Sequence, residues 1–113
     1  MYKILDMAEI PIIGRTVIDE MGWKALGRLA RQSRDAQNWS LRDLVAHLKS
    51  AIPVSTLGTS TLSGFERGNV EPKVSTLFQL SLLGYIKDPI TGVSMSVDDM
   101  CRYAAGFSDE VEP

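Results

Sequence analysis

From Trp23 to Ala104 apolar side chains return every three to four positions, the period of an amphipathic helix, and turn-forming residues break the pattern at intervals. The first such stretch, Trp23 to Ala36, carries Trp23, Leu26, Leu29 and Ala30 on one side and Lys24, Arg28, Arg31 and Arg34 on another. It reads as a basic amphipathic helix. Ser40 followed three residues later by Asp43 is a capping pair, and Leu41, Leu44, Val45 and Leu48 then fall at i, i+3, i+4 and i+7, so a second helix runs from Leu41 to Ser50. Pro53 and Gly58 make Ala51–Gly58 a loop. Thr59 or Ser60 then caps a short third helix that ends at Gly68, a residue suited to the left-handed position beyond a helix end.

After Glu71-Pro72 the stretch Val74–Leu83 is apolar nearly all round, which predicts the central core helix. Gly84 stops it. Asp88-Pro89 and Thr91-Gly92 mark turns, and Ser96 opens a fifth helix with Val97, Met100, Cys101 and Ala104 on one face. Residues 2–13 are apolar without a clean period and contain Pro11, which suits an extended arm or short edge strand. The reading is therefore an all-α, five-helix domain over residues 22–106, preceded by an arm (1–21) and followed by an acidic tail (107–113).

Size agrees with one domain, since 113 residues support a single core and 44% apolar with 23% charged residues is a globular composition. No run approaches the roughly 20 apolar residues of a membrane span, and the N-terminus lacks a basic region followed by an apolar one, so a cytoplasmic protein is expected. Cys101 is the single cysteine and His47 the single histidine, which leaves no set of zinc ligands. No nucleophile–base pair, phosphate-binding glycine loop or paired catalytic carboxylates are present, and neither an enzyme nor a cofactor is expected. His47 reads as a rim residue, Cys101 as small core, and Trp23, Trp39 and Phe78 as packing residues, with Trp39 placed to staple the second helix.

Net charge is −2, outside the basic range common among nucleic-acid-binding domains. Its distribution changes that picture. Between Gly22 and Lys87 nine Lys and Arg stand against four Asp and Glu, whereas both ends are acidic. On the third helix, at 100° per residue, Leu62 and Phe65 define one side while Ser60, Ser63, Gly64 and Arg67 cluster on the other. Such a small, polar, singly cationic face fits a DNA major groove, where Ser can bond either base type and Arg can take the edge of guanine.

Residues 40–48 (SLRDLVAHL) and 60–84 (STLSGFERGNVEPKVSTLFQLSLLG) resemble the lambda-repressor and Cro-type (XRE-like) helix-turn-helix family. The resemblance is carried by Ser40, Leu44-Val45, Thr61-Leu62-Ser63, Glu66, Gly68, Pro72, Thr76-Leu77, Leu80 and Leu83-Gly84, and it covers residues 22–86 with the motif at 40–68. It implies a bacterial or phage regulator, a repressor, that binds double-stranded DNA at a near-palindromic operator as a homodimer. Ser60, Ser63, Gly64 and Arg67 would read bases; Arg42, Thr59, Arg28, Arg31 and Lys73 would meet the DNA backbone; Arg34 and Glu66 would form an ion pair between the first and third helices. Three features depart from the family pattern: a longer connection between helices two and three, Leu41 where Gln is common, with Arg42 beside it to take over phosphate anchoring, and Gly64 where a base-reading side chain is common.

Dimerisation is expected through Val97, Met100 and Ala104 with neighbouring Tyr85, Ile86 and Met95, or through the N-terminal arm, the alternative being that the fifth helix covers the chain's own core. The alternative reading is a helix-turn-helix module used for protein contact, as in an antitoxin or a phage or plasmid regulatory partner. The acidic ends, Gly64 and the long connection favour it.

Overall fold

A computed structural model describes residues 18–107, so the N-terminal stretch 2–13 and the tail 108–113 lie outside the described residues. Five helices follow one another: α1 (Glu20–Ala36), α2 (Leu41–Ala51), α3 (Thr59–Arg67), α4 (Val74–Leu83) and α5 (Val97–Ala105). Among the described residues the only extended pairing is one isolated antiparallel bridge, Lys87 with Ser94. The chain is all-helical there.

Helix ends follow local chemistry. Asp19 accepts a hydrogen bond from the Gly22 amide (3.1 Å), so α1 begins three residues before the apolar stripe that announces it. Ser40/Asp43 and Ser96/Asp99 form reciprocal capping boxes at α2 and α5. Hydrogen bonds within each box hold the Asp43 and Asp99 carboxyls below the usual carboxylate range. The caps therefore contribute stability above the ordinary aspartate pKa, and lose it as pH falls through the lowered folded-state values. At α3 the cap is Gly58 without a side-chain bond, not Thr59 or Ser60, since Thr59 and Ser60 already lie inside the helix. Gly68 (φ 68°) and Gly84 (φ 74°) close α3 and α4 in the left-handed conformation.

Leu26, Leu44, Leu48, Leu62, Leu80, Ile86 and Met100 form the innermost core. Helix α1 lies along both α3 and α5, while α4 packs against α2 and α5. Two expectations are corrected here. Met100 and Ala104 are fully buried, Tyr85, Ile86 and Met95 nearly so, and Val97 is half-buried, so the apolar face of α5 covers the domain's own core and is not free for a second molecule. Helix α4 is not central: Val74, Phe78 and Leu82 are 73%, 54% and 58% exposed. Phe78 is thus not a packing residue within the domain, whereas Trp23 is buried and Trp39 packs half-buried against the core.

The third helix is positioned by α1 in two ways. At Gly27 the helices cross so closely that a Cβ would land on the backbone carbonyl oxygens of Phe65 and Glu66. One turn pair further on, Arg34 makes a two-pronged contact with Glu66, Nε to Oε2 at 2.7 Å and Nη2 to Oε1 at 2.9 Å. The third nitrogen, Nη1, donates to the Trp39 carbonyl at 2.7 Å, so the same guanidinium also fixes the link from α1 to α2. Hydrogen bonding to Glu66 raises the Arg34 pKa against the opposing effect of burial, and the group stays charged.

Arg34→Ala leaves the buried Glu66 carboxylate without its partner and is expected to cost about 3–5 kcal/mol, against less than about 0.5 kcal/mol for Arg28→Ala on the exposed side of α1. Urea unfolding of the two variants checks this, and equal midpoints would exclude a structural role for the pair. A second pair of variants separates two glycines. Gly27→Ala meets backbone and should destabilise by about 1–3 kcal/mol, whereas Gly64→Ala enters open space within a helix and should stabilise by up to about 1 kcal/mol. Opposite signs in thermal melts are the expected result.

Candidate functional site

Helix α2 turns Leu44 and Leu48 inward, which leaves Arg42, His47 and Lys49 in solvent. Arg42, the second residue of α2, is exposed, as phosphate anchoring would need. His47 is exposed and stacks on Trp39 with ring centroids 4.0 Å apart and an interplanar angle of 21°. It belongs to the rim.

The connection from α2 to α3, residues 52–58, is long but anchored. Ile52 and Leu57 pack against the core from either end, and the buried Ser55 accepts the Leu57 amide (3.3 Å) while its own amide bonds the Ile52 carbonyl (2.9 Å). Between these anchors Val54 stands 85% exposed at the outer edge. The added length is thus looped outward, and α3 still reaches the core.

On α3 the inner side consists of Leu62, Phe65 and Glu66, all buried. Ser60 and Arg67 are exposed, Ser63 and Gly64 half-exposed, and the four share the outward face as the helical period requires. The Arg67 guanidinium donates to the Ser63 hydroxyl one turn back, so the cation lies along the face. A Cβ at Gly64 would find nothing within 4 Å, which makes this position a vacancy in the surface and not a packing necessity. Thr59 occupies the first turn, exposed, at a helix start that no side chain caps.

The residues grouped as backbone contacts are not all brought together. Lys73 is the exposed residue that precedes α4, and it lines a cleft of about 310 Å³ with Thr56, Thr61, Phe65 and Glu71 on the α4 flank of α3. Arg28 and Arg31 are exposed on α1. Arg31 lies four residues from Gly27, on the flank of α1 that faces α3, whereas Arg28 turns about 100° away from the crossing. Arg34 and Glu66 neutralise each other inside the domain, which leaves the positive excess of the central region on its surface. Of these cations, Lys24 pairs with Glu20 at 3.1 Å, and the Lys87 ammonium donates to the Gly84 carbonyl (3.0 Å) and the Ser94 hydroxyl (2.9 Å).

One position that matters for this face, Gly27, is absent from the motif-based reading, while a second, Gly68, belongs to the motif. Gly27 sets the spacing of α1 and α3, and Gly68 ends α3 against the backbone of Lys24. A glycine in the middle of an otherwise regular amphipathic stretch was the available sign for Gly27, because it lowers helix stability unless a close approach requires it. Among the described residues no group of three or more His, Cys, Asp or Glu could hold a metal ion, and no helix is long and apolar enough to cross a membrane. Burial, with a smaller effect of Asp98, raises the half-buried Cys101 thiol above its ordinary range.

Comparison with known proteins finds no family model, no curated protein and no solved structure that matches this chain.

Proposed function

We propose that this chain is a sequence-specific double-stranded DNA-binding regulator of lambda-repressor type, a repressor that inserts α3 into the major groove and acts as a homodimer on a near-palindromic operator. The observation that carries the reading is the two-sidedness of α3. Its inner side is fixed by Leu62, Phe65 and the Arg34–Glu66 contact, and its outer side offers Ser60, Ser63 and Arg67 around the vacancy at Gly64. A reading helix needs both properties, because base discrimination depends on hydrogen-bond geometry that a loosely held helix cannot keep.

Role by role, Ser60 and Ser63 would bond base edges and Arg67, released from Ser63, would take a guanine edge or a phosphate. Arg42 and Thr59 at the starts of α2 and α3 would grip the DNA backbone, with Arg31, Arg28 and Lys73 adding charge from the flanks. The local excess of cations in the central region would outweigh the net charge of the chain here, since charges act over about 8–10 Å at physiological salt.

Contact with another protein is the second reading. The exposed Val54 on the lengthened connection and the missing side chain at Gly64 favour it.

Two measurements separate the readings. In a salt titration of binding to random duplex, log K should fall linearly with log salt, and Arg42→Ala should weaken all duplexes alike and lower the slope by about one unit. No salt-dependent binding would remove the DNA reading. In selection from a random duplex pool, Ser63→Ala and Gly64→Arg should change the preferred sequence at one position each, a shift worth roughly 1–3 kcal/mol. Gly64→Arg has room to do so without unfolding the domain. Identical selected sequences at intact affinity and fold would show that α3 does not read DNA, and would put protein contact first.

A further inference from the structure

Helix α4 has apolar residues on both its sides but a core on only one. Thr76, Leu77 and Leu80 are buried, and directly opposite them Val74, Phe78 and Leu82 form a ridge at four-residue spacing that is more than half in solvent. The helix carries no charged residue along its ten positions, and only Ser75 and Ser81 flank the ridge. Ser81 spends its hydroxyl on the Phe78 carbonyl (2.7 Å), so even this flank offers little to water. A helix that is apolar all round is normally covered on all sides.

We propose that the ridge is the self-association surface of the chain, and that its occupant is the same ridge of a second copy. This inference does not depend on DNA binding. The ridge is symmetric about Phe78, with one aliphatic residue four positions before it and another four after. A two-fold axis beside Phe78 therefore sets Phe78 against its counterpart and Val74 of each copy against Leu82 of the other, the self-complementary match that an isologous interface requires. The four-residue ridge of one helix fits the groove beside that ridge on the other. Charge is compatible as well. The two helices run in opposite directions, so their dipoles meet head to tail, and Lys73 of each copy comes beside the carbonyl-rich end of the other helix. An antiparallel pair of uncharged helices meets no like-charge repulsion.

Size sets the strength. The three side chains expose on the order of 300 Å² per copy, so the pair buries roughly half of the about 1,200 Å² at which stable interfaces begin. The dimer is thus weak and reversible. It is fitted to form at high concentration or when two copies are held side by side.

Sedimentation equilibrium of the full chain without DNA, from about 10 µM to about 1 mM, tests this over the range where so small an interface half-forms. The mass average should rise from one chain toward two. Phe78→Glu and Phe78→Lys should each lower the association constant at least about tenfold with unchanged helical circular dichroism, as loss of a central aromatic contact does. An equimolar mixture of these two variants should restore association, because the axis places position 78 beside position 78. A wild-type chain that stays monomeric across the range overturns the proposal, as does association that neither variant weakens. A monomer whose melting temperature falls steeply in both variants also overturns it, since another part of the same chain then covers the ridge.

Discussion

A single guanidinium group, buried between α1 and α3, has all three of its nitrogens engaged: two on the Glu66 carboxylate and one on the Trp39 carbonyl. Removing two charges from water is costly, and a pair of this kind adds little net stability compared with well-packed apolar residues. What it adds is geometry. Apolar contacts between Leu62, Phe65 and the core would tolerate rotation of α3 about its own axis, whereas a two-pronged contact fails when the helix rolls or slides. Gly27 supplies the matching steric condition, since only a residue without a side chain lets α1 come close enough for Arg34 to reach. The orientation of Ser60, Ser63 and Arg67 is therefore set from the opposite side of the helix.

Much of this domain can be read from neighbouring residues, because the determining interactions are local. Ser40 with Asp43 and Ser96 with Asp99 mark helix starts to the residue, since a capping box closes over three positions. Val74–Leu83 is bounded by Pro72 and Gly84 for the same reason. The outward face of α3 follows from helical period alone. What period cannot supply is the identity of the neighbour. The stripe on α5 is apolar whether it meets another molecule or its own core, and here Met100 and Ala104 meet the core. The all-round apolar character of α4 suggested a central position, yet α1 holds it, despite the row of Arg and Lys on its other side. The Arg34–Glu66 contact spans 32 residues, and only the family resemblance put those two side chains together.

The connection between α2 and α3 shows how extra length is accommodated without moving the helices it joins. Entropy penalises a longer loop only slowly, so the added residues cost little provided the two ends remain fixed. Ile52 and Leu57 fix them, and Ser55 folds the middle back on itself. A similar arrangement joins α4 to α5, where Asp88 accepts the amides of Ile90 and Thr91 and the Lys87–Ser94 bridge closes the turn. Variation in loop length is thus separated from the spacing of the helices.

Trp39 sits where these constraints converge. Its carbonyl is held by Arg34, its indole is stacked on His47, and the Tyr85 ring lies 6.0 Å away, tilted by 46°. Tyr85 is buried, and its hydroxyl has no hydrogen-bond partner among the described residues. An indole so placed beside imidazole and phenol is an intrinsic optical probe. With Trp23 replaced by Phe, so that Trp39 is the one indole left, its emission would report, without any label, whether the junction of the first three helices is closed in a given solution.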